Sequence, residues 1–172
     1  MRIAIANAKG GVAKTTSSIY IASVIVSRGG RAVVYDADPQ SSASLWASAA
    51  EQTAGPLTFD VLPANQATLR QLAAGSDPDE WAIIDAPPQG PTLDMAIKAA
   101  DFVIVPASDS PMDLQQAWSP LDMARMSTPA ALLLVKAERS TKAFHDTMDA
   151  LNAMDTPRFD TIVPKAQSYK RS

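Results

Sequence analysis

Residues 9–16 read Lys-Gly-Gly-Val-Ala-Lys-Thr-Thr, and they directly follow the hydrophobic run of residues 3–6. An apolar strand that turns through glycines into a Lys-Thr pair at a helix start is typical of a phosphate-binding loop. In such a loop the backbone N–H groups and the helix N-terminus face the phosphates, and a lysine adds its charge. An ordinary loop of this kind needs only the lysine before its Ser/Thr, here Lys14. The second lysine, Lys9, indicates a site that neutralises more negative charge than one chain's own lysine can.

Apolar strand-like runs alternate with helical stretches along the rest of the chain. The predicted strands are 2–7, 32–36, 58–62, 81–85, 102–106, 131–136 and 159–163. The predicted helices are 15–28, 41–52, 66–74, 93–99, 112–126 and 141–154. This alternation predicts an α/β fold with a mostly parallel central sheet and helices on both faces. Because no repeat or linker divides the 172 residues, we expect a single domain over 1–172.

Four loops with unusual sequences each follow an apolar strand. They are 8–14, 36–40, 85–90 and 106–111. In open parallel sheets, ligands bind in the loops at the carboxyl ends of the strands. We therefore expect these four loops to open on one edge of the sheet and to form one site.

The loop of residues 9–16 resembles the deviant Walker A box of the ParA/MinD family of P-loop ATPases. The resemblance implies a P-loop NTPase fold that binds ATP and Mg²⁺ and hydrolyses ATP at a weak intrinsic rate. It also implies that Lys9 reaches the ATP of a partner subunit, Lys14 holds the β- and γ-phosphates, and Thr15 supplies a hydroxyl to Mg²⁺. The cofactor-binding residues in this loop would be Lys9, Gly10, Gly11, Val12, Ala13, Lys14, Thr15 and Thr16.

Three aspartates at strand ends are the predicted acidic groups of the site. Asp85 ends the run Trp-Ala-Ile-Ile-Asp, which has the form of a Walker B strand, and is expected to hold Mg²⁺. Asp36 and Asp38 form a D-x-D pair whose alternation predicts both carboxylates on the same side, aimed into the site. By the resemblance, Asp38 positions the hydrolytic water and Asp36 supports Mg²⁺ from behind its direct ligands. The alternatives are a strand-end cap for Asp85 and an Asx-turn for Asp38.

Two further residues are assigned by the resemblance alone. Gly90, in the run Asp-Ala-Pro-Pro-Gln-Gly, would sense the γ-phosphate through its N–H. Pro164 would lie in the segment that touches adenine. The loop departs from G-x-x-x-x-G-K-[ST] at both glycine positions, which hold Ala8 and Ala13. Ala13 adds a methyl group where the backbone approaches phosphate.

The resemblance is strongest to the small, ParF-like partition ATPases. It implies an ATP-dependent homodimer that binds DNA without sequence preference. It also implies a ParB-type activator that carries a cargo: a plasmid, a chromosome locus or a protein compartment. The strand before the loop begins at residue 2, so we expect no N-terminal helix-turn-helix. The chain stops nine residues after Val163, so we expect a short or truncated C-terminus.

Composition excludes several classes of protein. The chain has no cysteine, which excludes a thiolate-ligated iron–sulfur cluster and agrees with a cytoplasmic protein. No apolar run approaches the ~18 residues that span a bilayer, so no membrane partner is expected. The net charge of −3 argues against a generally basic nucleic-acid binder. Residues 131–172, however, hold seven basic against five acidic residues, which indicates either a modest cationic face or an ordinary solvated surface. The resemblance implies nucleoid association in the ATP state.

Three alternative functions remain open. A MinD-like membrane-cycling ATPase requires a C-terminal amphipathic helix, whereas residues 163–172 are polar and few. A metabolic P-loop ligase, such as an enzyme of the dethiobiotin synthetase type, has less need of Lys9. An inactive homologue is the third alternative, because Ala13 alters the loop.

Overall fold

The computed structural model of the protein describes residues 1–165. Six strands alternate with six helices. The strands are β1 (Arg2–Ile5), β2 (Arg31–Asp36), β3 (Asp60–Pro63), β4 (Glu80–Asp85), β5 (Phe102–Ala107) and β6 (Ala130–Leu134). The helices are α1 (Lys14–Ser27), α2 (Ser42–Thr53), α3 (Gln66–Ala74), α4 (Pro91–Ala99), α5 (Pro111–Arg125) and α6 (Lys142–Ala153). The predicted helix boundaries agree with these to within two residues.

The strands form one sheet in the order β3-β2-β4-β1-β5-β6, and every pair is parallel. Helices α1 and α2 cover one face, where Ile19 and Ala43 pack against the sheet. Helices α3 to α6 cover the other face, with Leu69, Ile97 and Leu121 fully buried there. A parallel sheet covered on both faces needs apolar residues throughout its strands, which explains their continuous hydrophobic runs. The predicted α/β fold is confirmed.

The central position of β1 decides where the site lies. This strand sits between β4 and β5, so the loop that follows it emerges from the middle of the carboxyl edge. The loops after β2 and β4 lie on one side of it, and those after β5 and β6 lie on the other. The four unusual loops therefore do open on one edge of the sheet.

The seventh predicted strand, 159–163, is wrong. This segment follows the edge of β6 through separate hydrogen bonds, in which Phe159 donates to Leu132 and Val163 donates to Leu134, each at 2.9 Å. These two hydrogen bonds lie four residues apart in the segment but only two residues apart in β6. The extra residues of the segment therefore have no partner in β6, and a regular strand cannot form. Only isolated bridges remain, at Arg158 and Pro164.

No helix within residues 1–165 has the length and apolarity to cross a membrane. Lys170 and Arg171, which contribute to the predicted basic bias of 131–172, lie outside the described residues.

Candidate phosphate-binding site

The loop between β1 and α1 is held by a buried asparagine. Asn7 is fully buried, and its Nδ2 donates a hydrogen bond to the Pro106 carbonyl at 2.7 Å. Its Oδ1 accepts a hydrogen bond from the Lys9 N–H at 2.9 Å. The backbone then takes left-handed conformations at Gly11 (φ 76°) and Ala13 (φ 62°) before α1 begins. These turns bring the loop over the N-terminus of α1, where N–H groups without helical partners attract anions.

A cavity of about 470 Å³ opens in front of this loop. It is lined by three groups of residues: Gly10, Gly11, Ala13, Lys14, Thr15 and Thr16 from the loop, Asp38, Gln40, Ser42 and Trp46 from the loop after β2 and α2, and Pro88 and Lys136 from two other strand ends. The cavity therefore combines a helix N-terminus, cationic side chains and one carboxylate. Such a combination suits a polyphosphate.

Lys14 is the buried cation of the cavity. Lys14 is only 7% exposed, and its Nζ donates a hydrogen bond to the Lys9 carbonyl at 3.0 Å. Burial lowers the pKa of this amino group, and the negative charges of Asp38 and Asp85 act in the opposite direction. A buried ammonium group is costly unless it is paired, so an anion bound in the cavity would stabilise its charge.

Thr15 and Asp85 form the hydroxyl–carboxylate pair expected at a magnesium site. The Thr15 hydroxyl donates to Asp85 Oδ2 at 2.7 Å, while the fully buried Oδ1 has no hydrogen-bond partner among the described residues. Burial raises the pKa of Asp85 to about 6, against the Thr15 hydrogen bond, and the charge of Asp36 adds to the rise. A buried oxygen without a hydrogen-bond donor and a carboxyl group whose pKa burial raises both fit a bound cation.

Within residues 1–165, no group of three or more His, Asp or Glu side chains is placed to hold a metal by itself. This agrees with the usual binding of Mg²⁺, which keeps waters and phosphate oxygens as ligands and takes only one or two from the protein. The residues present therefore fit Mg²⁺ delivered with a nucleotide. Thr15 and Asp85 are the residues that would hold it.

The two carboxylates of the D-x-D pair line one cavity of about 530 Å³, but only Asp38 also lines the phosphate cavity. Asp38 lines the phosphate cavity, and its Oδ1 accepts from the Gln40 N–H at 2.9 Å, so the Asx-turn is also present. Asp36 is buried, and its Oδ2 accepts two hydrogen bonds from Ser44, from N–H at 2.8 Å and from the hydroxyl at 2.7 Å. Strand β2 ends at Asp36, so the alternation that predicted a shared direction stops there. Asp36 lies opposite Asp85 in the β2–β4 register.

Lys9 points away from the lining of its own cavity. Its amino group pairs with the carboxylate of Asp113 on α5, which also accepts from the Ser108 hydroxyl at 2.7 Å. Burial would raise the pKa of Asp113, but the hydrogen bonds from Lys9 and Ser108 hold it below its usual value. The side chain of Lys9 keeps an exposure of 35%. Of the two lysines in the loop, only Lys14 faces the cavity.

The remaining predicted site residues lie at the periphery. Gly90 precedes α4 with φ 90°, and the residue of that loop that lines the cavity is Pro88. Val12 is buried beneath the loop. Pro164 is exposed and bridges to Ala137, next to a smaller cavity of about 220 Å³ behind the loop.

Sequence reasoning assigned no role to Asn7, Asp113 or Lys136. Lys136 Nζ donates to the Gly11 carbonyl at 2.6 Å. A signal for this residue existed, because Lys136 follows a strand at the same sheet edge as the four unusual loops. Asp113 lies inside a helix, and nothing in its local sequence distinguishes it from a solvated carboxylate.

Comparisons with known proteins agree with this geometry. Residues 1–80 match a family model described as an AAA domain. The "Maintenance of carboxysome distribution protein A" of Halothiobacillus neapolitanus is 28% identical over 181 residues, which cover 99% of this chain and 82% of that protein.

Two solved structures share the fold. A putative plasmid partition protein from Borrelia burgdorferi B31, bound to AMPPNP, has a TM-score of 0.75 at 18% identity over 99% of this chain and 87% of that one. Cobyrinic acid a,c-diamide synthase from Mycobacterium smegmatis, with an ATP analog and magnesium, has a TM-score of 0.74 at 22% identity over 96% of this chain and 87% of that one.

The fold and the loop define a P-loop nucleotide-binding architecture, and the groups of the site fit a polyphosphate with Mg²⁺. Within that class, the chain is similar over nearly all of its length to the carboxysome distribution protein A, and it shares its fold with the putative plasmid partition protein.

Proposed function

We propose that this protein is a Mg²⁺-dependent ATPase that dimerises on ATP, binds DNA without sequence preference in that state and positions a cargo. A ParB-type partner that carries the cargo would stimulate hydrolysis and release the dimer. Residues 1–172 would act as one ATPase domain, with the protein in the cytoplasm and on the nucleoid when ATP is bound.

The observation that carries this proposal is the different direction of the two loop lysines. Lys14 faces the phosphate cavity, whereas Lys9 is directed to Asp113 and remains partly exposed. A lysine that does not face its own phosphates is free to meet those of a second subunit once Asp113 releases it. This supports a sandwich dimer in which each Lys9 neutralises the partner's nucleotide.

The arrangement of the other polar groups supports hydrolysis. Lys14, with the N–H groups from Gly10 to Thr16, would bind the β- and γ-phosphates. Thr15 and Asp85 would hold Mg²⁺, which neutralises charge on the transferred phosphoryl group. Asp38 lines the cavity and would orient the attacking water, while Asp36 would support Mg²⁺ from behind its direct ligands.

The cargo that we favour is a protein compartment. The relative in Halothiobacillus neapolitanus is named for the maintenance of carboxysome distribution, and its similarity extends over nearly all of this chain. A plasmid is the second candidate, since the fold is shared with a putative plasmid partition protein.

The test is binding to duplex DNA of random sequence at low salt, with Mg-ATP, Mg-ADP or no nucleotide. Wild type is compared with Asp38→Ala, which should trap the ATP state, and with Lys14→Ala, which should not bind ATP. We expect DNA binding only with ATP, stronger in Asp38→Ala and absent in Lys14→Ala. Because a few lysine–phosphate contacts dominate, binding should weaken roughly tenfold or more as salt rises to physiological levels.

Two results would overturn the proposal. Binding to anionic vesicles instead of DNA would favour the membrane-cycling alternative. ATP turnover without any ATP-dependent change in mass or DNA binding would favour a metabolic ligase.

A further inference from the structure

A third lysine reaches the phosphate-binding loop from the far end of the chain. Lys136 follows β6, and its Nζ donates a hydrogen bond to the carbonyl oxygen of Gly11 at 2.6 Å. The same side chain lines both the phosphate cavity and the smaller cavity behind the loop. None of the roles proposed above uses this contact.

The backbone at Lys136 is strained and held on both sides. Its φ is 55°, in the left-handed region that disfavours residues with a Cβ. Val135 before it donates to the Ala107 carbonyl at 2.8 Å, and Ala137 after it donates to the Val163 carbonyl at 3.1 Å. Both neighbours are buried. Strain that is maintained by fixed neighbours is characteristic of functional positions, and here it directs the amino group at the loop.

The contact fixes the direction of one peptide group. Residues 1–165 contain no cis peptide bond, so the Gly11 carbonyl and the Val12 N–H point in opposite directions. In a phosphate-binding loop the N–H groups face the anion and the carbonyl groups face away from it. By holding the carbonyl of Gly11, Lys136 keeps the N–H of Val12 turned in the opposite direction.

Lys14 makes a similar bond to the Lys9 carbonyl at 3.0 Å. Its ammonium group would also have to donate to the phosphates, because Lys14 faces the cavity. Lys136 can keep its own bond, because the donor comes from another strand and not from the phosphate-binding helix.

We propose that Lys136 is a positioning residue for the polyphosphate of a nucleoside di- or triphosphate. It acts through the hydrogen bond that orients the Gly11–Val12 peptide. This inference rests on the proposed nucleotide binding at the loop.

The experiment compares the affinities of five proteins for Mg-ATP and Mg-ADP by calorimetric titration. They are the wild type, Lys136→Met, Lys136→Gly, Lys136→Gln and Lys165→Met. Glycine suits the left-handed backbone, so Lys136→Gly removes the amino group while keeping the fold. Glutamine restores a neutral donor. Lys165→Met is the matched control, because Lys165 lies in the same smaller cavity but pairs with Glu138.

We expect Lys136→Met and Lys136→Gly to weaken both nucleotides by about tenfold or more, the effect of losing a hydrogen bond from a charged donor. Lys136→Gln should stay within about threefold of wild type, and Lys165→Met within about twofold. Faster hydrogen exchange of the nucleotide-free loop in Lys136→Gly would accompany the weaker binding.

Three results would overturn the inference. The first is a nucleotide affinity of Lys136→Gly equal to that of the wild type, and the second is an equal loss of affinity in Lys136→Gly and Lys165→Met. The third is a Lys136→Gln that binds as weakly as Lys136→Met, which would make charge alone the cause. If the wild type binds neither nucleotide, the proposed function fails together with this inference.

Discussion

Replacing Asp85 by asparagine tests the electrostatics of the candidate magnesium site. The carboxyl group is fully buried, and burial raises its pKa from 3.8 to about 6. A raised pKa means that the folded chain favours the protonated form. The stabilising effect of the proton is complete below pH 3.8 and is lost as the pH rises through 6. The free energy of unfolding of the nucleotide-free wild type should therefore fall over this range. Asp85→Asn has no such proton, so it should not show the part of the fall that is due to Asp85.

The magnitude follows from the size of the shift. About two pKa units correspond to about 3 kcal/mol, of which roughly 2.5 kcal/mol falls between pH 4 and pH 8. The stability of Asp85→Asn relative to wild type should rise by that amount from pH 4 to pH 8. The comparison cancels the other titrating groups, and it also cancels any fixed packing cost of the asparagine.

The assay is urea unfolding at several pH values, with EDTA and without nucleotide. Asp101→Asn is the matched control, because hydrogen bonds from the Arg2 guanidinium lower the pKa of Asp101. Its stability relative to wild type should stay nearly flat from pH 4 to pH 8, because the effect of a lowered pKa lies below the unfolded value of 3.8. A relative stability of Asp85→Asn that stays flat or falls over this range would refute the reasoning.

Three further predictions concern the same site. Ala13→Gly removes the Cβ from the left-handed residue at the start of α1 and should keep or raise the melting temperature. The control Ala22→Gly, in the buried interior of α1, should lower the free energy of unfolding by about 1 kcal/mol. Equal losses in both variants would argue against strain at Ala13. Ser44→Ala removes one of two hydrogen bonds to the Asp36 carboxylate and should cost about 1.5–3 kcal/mol in urea unfolding. The exposed control Ser48→Ala should change stability by less than about 0.5 kcal/mol, and a similar effect of both would count against that role. Mg-ATP should raise the melting temperature of the wild type, and excess EDTA should remove most of that rise; a rise that EDTA leaves intact would speak against a bound Mg²⁺.

Most of the fold could be predicted because its signals are local. Buried parallel strands need continuous apolar runs. The helices between them are long enough for their first and last residues to be recognised in the sequence. The segment 159–163 has the composition of a strand, but strand pairing depends on a partner's register. Because β6 advances two residues where this segment advances four, only the three-dimensional structure could exclude it.

The phosphate-binding loop could be located from the sequence, because glycines followed by a Lys-Thr pair after a strand are typical of such a loop. The directions of its side chains could not. The pairing of Lys9 with Asp113 joins residues 104 positions apart, and the bond from Lys136 to Gly11 joins residues 125 apart. Such contacts depend on which strands are neighbours in the sheet. Strand β2 likewise ends at Asp36, so strict alternation could not predict that Asp38 alone lines the phosphate cavity while Asp36 bonds to Ser44.

The central claim is that Lys9 acts on the nucleotide of a second subunit. Sedimentation velocity with Mg-ATP and with Mg-ADP tests it most directly, on Asp38→Ala and on the double variant Lys9→Ala, Asp38→Ala. We expect Asp38→Ala to sediment at twice the chain mass of 18.2 kDa with ATP and at the chain mass with ADP. The double variant should stay at the chain mass with ATP while its ATP affinity, measured by titration, remains within about threefold. An ATP-dependent dimer of the double variant that is as stable as that of Asp38→Ala would contradict the claim.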